Sequence, residues 1–150
     1  MPFVGCIQNW EEYIMIKLIV GSKGSGKTKT MIQMANDALK SSNGNVVCVE
    51  KGIQLTYDLS YEVRLVDVDQ YGIDGYEAYC GFLCGLMAGN YDITHIFCDA
   101  TFKICGKDPE KLLAMFKKLD KLSITAGVKM VFTISCDIEE LPEELRAYII

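Results

Sequence analysis

Apolar residues follow two rhythms along this chain. Short, nearly continuous apolar runs occur at Tyr13–Val20 (YIMIKLIV), Val46–Glu50 (VVCVE), Val63–Val68, Ile93–Cys98 and Lys129–Ser135 (KMVFTIS). Runs of that length, rich in β-branched residues, read as strands buried on both faces. Between them the apolar positions recur at three- and four-residue steps. Over Lys27–Ser41 they are Met31, Met34, Ala35, Ala38 and Leu39, and over Asp74–Ala88 they are Tyr76, Tyr79, Leu83, Leu86 and Met87. A third helix is capped by Asp108 with Pro109 at its first position, carries Leu112, Leu113, Phe116, Leu119 and Leu122 on one face, and stops at Gly127. A short acidic helix is expected near Leu141–Tyr148. Strands alternating with helices predict an α/β fold in three layers: a mostly parallel five-stranded sheet with helices on both faces. Residues 15–150 form one domain in this reading. Residues 1–14 fall outside the alternation and read as an N-terminal extension, with Phe3, Ile7 and Trp10 available to pack on the domain edge and Met15 as an alternative start.

The junction of the first strand and first helix carries the most specific chemistry. Gly21-Ser22-Lys23-Gly24-Ser25-Gly26-Lys27-Thr28 matches G-x-x-x-x-G-K-[ST], the Walker A pattern, between a predicted strand and a predicted helix. A polyphosphate needs many donors in little space. Glycines let the backbone turn with its N–H groups inward, and a helix N-terminus adds free amides and a favourable dipole. Lys27 is then placed for the β- and γ-phosphates and the Thr28 hydroxyl for Mg²⁺. Lys23 reads mainly as a solvated loop lysine.

A second carboxylate belongs in such a site, at the tip of a neighbouring apolar strand. Asp99, directly after Ile93–Cys98, fits. Hydrolysis also needs a group that orients water. Ala100 and Thr101 follow Asp99, so no Glu stands there, and Glu50 at the end of the second strand is the best-placed substitute. Ligand sites of parallel sheets collect at the carboxyl ends of strands, which should bring Glu50 and Asp99 together. Thr101, Ser135 and Asp137 occupy comparable positions, where they would sense a γ-phosphate. Lys103, Lys107 and Arg146 are candidates to meet developing charge, and His95 reads as a packed strand residue.

Through Gly21–Thr28 and Ile96–Asp99 the sequence resembles the P-loop NTPase superfamily, over the whole core from about Met15. More narrowly it resembles short, solitary P-loop proteins labelled twitching-motility or pilus-retraction ATPase-like. The histidine- and aspartate-rich boxes of pilus-retraction ATPases have no counterpart here, so that resemblance implies a nucleotide site and nothing further. Glu50 is placed similarly to the water-orienting carboxylate of RecA-like ATPases. The tract Phe97–Phe102 faintly resembles the D-E-x-Q-F stretch of thymidine kinases, with Ala100 in place of the acid.

Composition narrows the function. Fifteen basic against twenty acidic residues give a net charge of −5, which argues against a general nucleic-acid coat. Arg64 and Arg146 are the only arginines, too few for the arginine-lined lid of a nucleoside monophosphate kinase. No N-K-x-D motif selects guanine, and no transporter-type signature occurs. Seven cysteines without a C-x-x-C pair, two of them (Cys48 and Cys98) inside apolar runs, fit a reducing, cytoplasmic setting. Cys80 and Cys84 share a helix face without further metal ligands. The longest apolar stretch, around Tyr79–Ala88, is far below the ~20 residues of a membrane-spanning helix. The expectation is an ATP- and Mg²⁺-binding protein acting as a slow ATPase or nucleotide-dependent switch. The alternatives are a small-metabolite or nucleoside kinase, with an acceptor pocket around Asp67, Asp69, Tyr71 and Tyr76, and a non-hydrolysing interaction module. Homo-oligomers are compatible with each, and the protein partner is open.

Overall fold

Five strands form one sheet in the computed structural model, which describes residues 14–150. The strands are β1 (Ile16–Gly21), β2 (Asn45–Glu50), β3 (Arg64–Asp67), β4 (Ile93–Cys98) and β5 (Lys129–Ser135). Their spatial order is β1-β5-β4-β2-β3 and every pairing is parallel. The helices are α1 (Lys27–Ser41), α2 (Tyr76–Gly89), α3 (Thr101–Cys105) and α4 (Pro109–Ala126). Nearly all of the N-terminal extension lies outside the described residues.

Side chains alternate across a strand, and that period of two divides the core. Met130, Phe132 and Ile134 of β5, Ile96 and Cys98 of β4, and Val47 and Val49 of β2 pack with Tyr79 and Leu83 of α2 and Leu112, Phe116 and Leu119 of α4. The intervening residues Val131, Phe97, Val46 and Cys48 face the other way, onto Met31, Ala35 and Ala38 of α1. Phe116 meets Phe132 edge to face at 4.8 Å, a contact worth about 0.5–1.5 kcal/mol beyond burial. The apolar face of α2 is therefore core. The helix on the P-loop side and the helices on the opposite side make the three layers expected.

Local chemistry explains the boundaries. The Asp108 carboxylate accepts from the amides of Glu110 and Lys111, both at 3.1 Å, and Gly127 closes α4 at φ 69°. Such an N-cap contributes about 1 kcal/mol. The first strand begins at Ile16, later than the apolar run. The third strand is cut short because Asp67 accepts from the amide of Asp69 and turns the chain into a 3-10 helix at Val68–Tyr71. The acidic segment near the C-terminus is a 3-10 helix over Glu143–Tyr148, entered from Pro142. Ile150 N–H then bonds Leu18 O at 3.0 Å, which covers the outer edge of β1. Helix α3 has no helical periodicity in the sequence; it follows a left-handed bend at Ala100.

Candidate functional site

The loop after β1 is shaped by what it excludes. A Cβ on Gly21 would sit 2.6 Å from Ser25 Oγ, so a side chain there would have to turn the serine hydroxyl away from the loop interior. Gly26 takes φ 88° as the residue before α1, a left-handed conformation that favours glycine. No side chain caps α1 and no acid stands in its first turn. Among the described residues, the only main-chain bonds closing this loop run from Ser25 N–H to Ser22 O at 3.1 Å and from Thr30 N–H to Gly26 O at 3.0 Å. The amides of Gly24, Gly26, Lys27 and Thr28 are left to other acceptors. Helix N-termini with free amides bind anions.

Lys27 is 8% exposed, and its ammonium donates to Ser22 O at 2.8 Å, with Ser25 Oγ at 3.5 Å. The loop thus holds its own cation against a carbonyl, with no carboxylate within ion-pair distance: the ion pairs among the described residues are Lys40–Asp37 and Lys51–Asp69.

Three residues near the carboxyl ends of their strands share the α1-facing side, by the same alternation that builds the core. Asp99 follows Phe97 on the α1-facing parity, Thr133 follows Val131, and Glu50 follows Cys48. Thr28 Oγ1 donates to Asp99 Oδ1 at 3.1 Å, and Oδ2 lies at 3.4 Å. Thr133 Oγ1 donates to Asp99 Oδ1 at 2.6 Å. The Asp99 amide is fixed by Val49 O at 2.9 Å. Around these groups opens a cleft of about 570 Å³, which takes in Ser22, Lys23, Gly24, Lys27 and Thr28, and beyond them Lys103, Lys107, Ser135 and Asp137. Lys107 Nζ stands 5.9 Å above the Phe102 ring.

Glu50 is placed differently from a free base. It is 2% exposed, and both carboxylate oxygens face the Leu55 amide, at 3.1 and 3.3 Å. Burial pushes its carboxyl above the ordinary value and the nearby Asp99 and Asp67 add to this, against the lowering effect of the Leu55 amide. It approaches Asp99 but does not line the cleft. Thr101 is fully buried, its hydroxyl has no partner, and it too lies off the cleft. Arg146 donates to the carbonyls of Glu139 and Leu141. His95 is half-buried, bonded to Thr94 and stacked on Phe97; burial, then Lys129, lowers its pKa.

The residues weighed as an acceptor pocket do not converge on this cleft. Asp67 binds the amides of Gly52 and Asp69, Asp69 pairs with Lys51 at 2.7 Å, and Tyr76 donates to Gly106 O. Thr133 escaped the sequence reading. Its one signal is a lone hydroxyl inside an otherwise apolar strand, and its meaning depends on β5 lying beside β4.

Thr28 and Asp99 supply hard oxygen donors of the kind Mg²⁺ takes while keeping waters and phosphate oxygens in its remaining positions. Among the described residues no group of three or more His, Cys, Asp or Glu could hold a metal by itself. The donor set therefore fits a cation that arrives with its ligand.

No family model and no curated protein matches the sequence. Among solved structures, the chain is similar to flagellar accessory protein FlaH from Methanocaldococcus jannaschii, with a TM-score of 0.57 and 17% identity. The match covers 89% of this chain and 65% of that one. The likeness is one of fold, an α/β architecture around a five-stranded parallel sheet. The narrower resemblance to pilus-retraction ATPases has no counterpart in these comparisons. Among the described residues, no helix is long and apolar enough to cross a membrane.

Proposed function

We propose that this chain binds a nucleoside triphosphate with Mg²⁺, ATP in the first instance, and turns it over slowly, as a weak ATPase or a nucleotide-dependent switch. The observation that carries the reading is the uncapped N-terminus of α1, where the amides of Gly24, Gly26, Lys27 and Thr28 have no main-chain acceptor among the described residues and the Lys27 ammonium folds back onto the same loop at Ser22 O. In this reading the Gly21–Thr28 backbone holds the β- and γ-phosphates, and Lys27 leaves Ser22 O for a phosphate oxygen. Thr28 and Asp99 hold the cation. When bound, Mg²⁺ supplies charge neutralisation on the phosphate oxygens. Slow turnover is supported by the carboxylates: Glu50 is engaged by Leu55, and Asp137 and Glu140 are tied to each other in a turn at the cleft rim. The choice of adenine rests only on the missing guanine motif.

Calorimetric titration with ATP, ADP, GTP and adenosine, with magnesium and then with EDTA, tests the reading, followed by a phosphate-release assay. The expected result is binding of ATP and ADP that weakens in EDTA, no binding of adenosine, and slow release of phosphate. Absence of heat with every nucleotide refutes it.

A further inference from the structure

Thr133 contributes no group to the phosphate loop, yet it holds the site's carboxylate in place. It is buried within β5, on the α1-facing parity. The register pairs Cys98 with Phe132, so the next residues, Asp99 and Thr133, stand side by side where the two strands end their pairing. A hydroxyl has one hydrogen to give and lone pairs to receive. Here the hydrogen goes to Asp99 Oδ1 at 2.6 Å, and a lone pair takes the Ala100 amide at 2.9 Å. Accepting from that amide fixes which way the hydrogen points.

Ala100 sharpens the argument. Its φ is 57°, the one positive φ at a residue other than glycine among the described residues. L-residues enter this left-handed region only at an energetic cost, so something must hold the bend. The bend carries the chain from β4 straight into α3, and it leaves the Ala100 amide with the Thr133 hydroxyl as acceptor. One hydroxyl therefore braces both the backbone after Asp99 and the carboxylate itself. Oδ1 carries the short bond from Thr133 and the 3.1 Å bond from Thr28, while Oδ2 has only the 3.4 Å approach of Thr28. The two carboxylate oxygens are made unequal before any cation arrives.

We propose that Thr133 is a positioning residue for the cation: through its paired bonds to Asp99 and Ala100 it presets the carboxylate that, with Thr28, holds Mg²⁺. This rests on the nucleotide reading of the site and goes beyond it, because it assigns magnesium dependence to a residue at the cleft wall whose hydroxyl is already engaged by Asp99 and Ala100. Groups that hydrogen-bond a metal-binding carboxylate fix its orientation and basicity, and their loss commonly weakens metal binding by about 10- to 100-fold.

The test compares ATP affinity with magnesium and with EDTA for wild type, Thr133→Val and Thr133→Ser, by calorimetry, with thermal melting of each nucleotide-free protein. Valine keeps the branched shape and loses both bonds; serine keeps the hydroxyl. The expected result is that T133V loses about tenfold or more of the magnesium-dependent gain, with its EDTA affinity within about threefold of wild type, and that T133S restores the gain. If valine prevents folding, Thr133→Cys, similar in size but a poor donor, carries the same expectation. A T133V protein with the wild-type gain overturns the inference alone. So does a serine variant as impaired as valine, because shape would then be the cause. A wild type indifferent to magnesium overturns it together with the reading beneath it.

Discussion

Replacing Glu50 by glutamine should make the protein more stable at alkaline pH, although it removes a charged acceptor from the Leu55 amide. Among the described contacts the buried carboxylate accepts from the Leu55 amide, at 3.1 and 3.3 Å from its two oxygens, and it has two like-charged neighbours, Asp99 and Asp67. A hydrogen bond to a charged group contributes about 1.5–3 kcal/mol, and a neutral amide oxygen in the same place would retain about 0.5–1.5 kcal/mol. Burying an ion costs several kcal/mol, so the burial cost exceeds the benefit of that bond. That is the physical content of the upward shift of the Glu50 carboxyl. Its folded-state pKa lies above the unfolded value near 4.5, so the folded chain binds the proton more tightly. Stability therefore falls as pH rises from the unfolded value through the folded one, and the penalty is complete above that. Glu50→Gln abolishes this titration. A net gain of about 1–2 kcal/mol at pH ~8 corresponds to about 3–6 °C in melting temperature for a chain of this size. Thermal melts of both proteins from acid to alkaline pH provide the assay, and the difference should close toward the acid end. A variant that melts lower than wild type at alkaline pH, or a difference independent of pH, would refute the reasoning.

Other expectations follow from the same geometry. Because Glu50 is held by Leu55 away from the cleft, the E50Q protein should bind ATP and release phosphate as wild type does, read by calorimetry beside a phosphate assay; slower turnover would return Glu50 to the chemistry. Lys27→Met keeps the packed stem and removes a charge-assisted bond to phosphate, so ATP affinity should fall by about 10- to 100-fold with the nucleotide-free melting transition preserved. Affinity within about threefold of wild type would contradict it. Gly44→Ala places a Cβ 2.1 Å from Asp92 O and 2.9 Å from Thr94 Cγ2, against backbone that is tied to Asn45 N. Urea unfolding should show a loss of about 3 kcal/mol, the upper end for overpacking; an unchanged midpoint would mean the turn relaxes freely.

Much of this architecture was legible because its determinants are local. The runs at Ile93–Cys98 and Lys129–Ser135 are mainly apolar on both parities, as strands covered on both faces are, and both occur where expected. Asp108, Pro109 and Gly127 bracket α4 by capping chemistry that any sequence displays. Helix α3 was not legible, because Thr101–Cys105 has no helical periodicity to read and is launched by the strained bend at Ala100. The site divides in the same way. Gly21–Thr28 is contiguous and carries its own signature. The bond from Thr28 to Asp99 spans 71 positions and needed only the rule that strand ends converge. Thr133 and the capture of Glu50 by Leu55 depend on which strand lies beside which and on how the chain turns after β2. Spacing along the sequence encodes neither.

The central claim is that the main-chain amides at the start of α1 grip a polyphosphate. Amide resonances of Gly24, Gly26, Lys27 and Thr28, followed by heteronuclear NMR during addition of ADP with magnesium, test it most directly. These four should shift together and become protected from hydrogen exchange, with Asp99 and Ala100 responding beside them. Nucleotide binding that leaves the four amides unmoved would contradict the account.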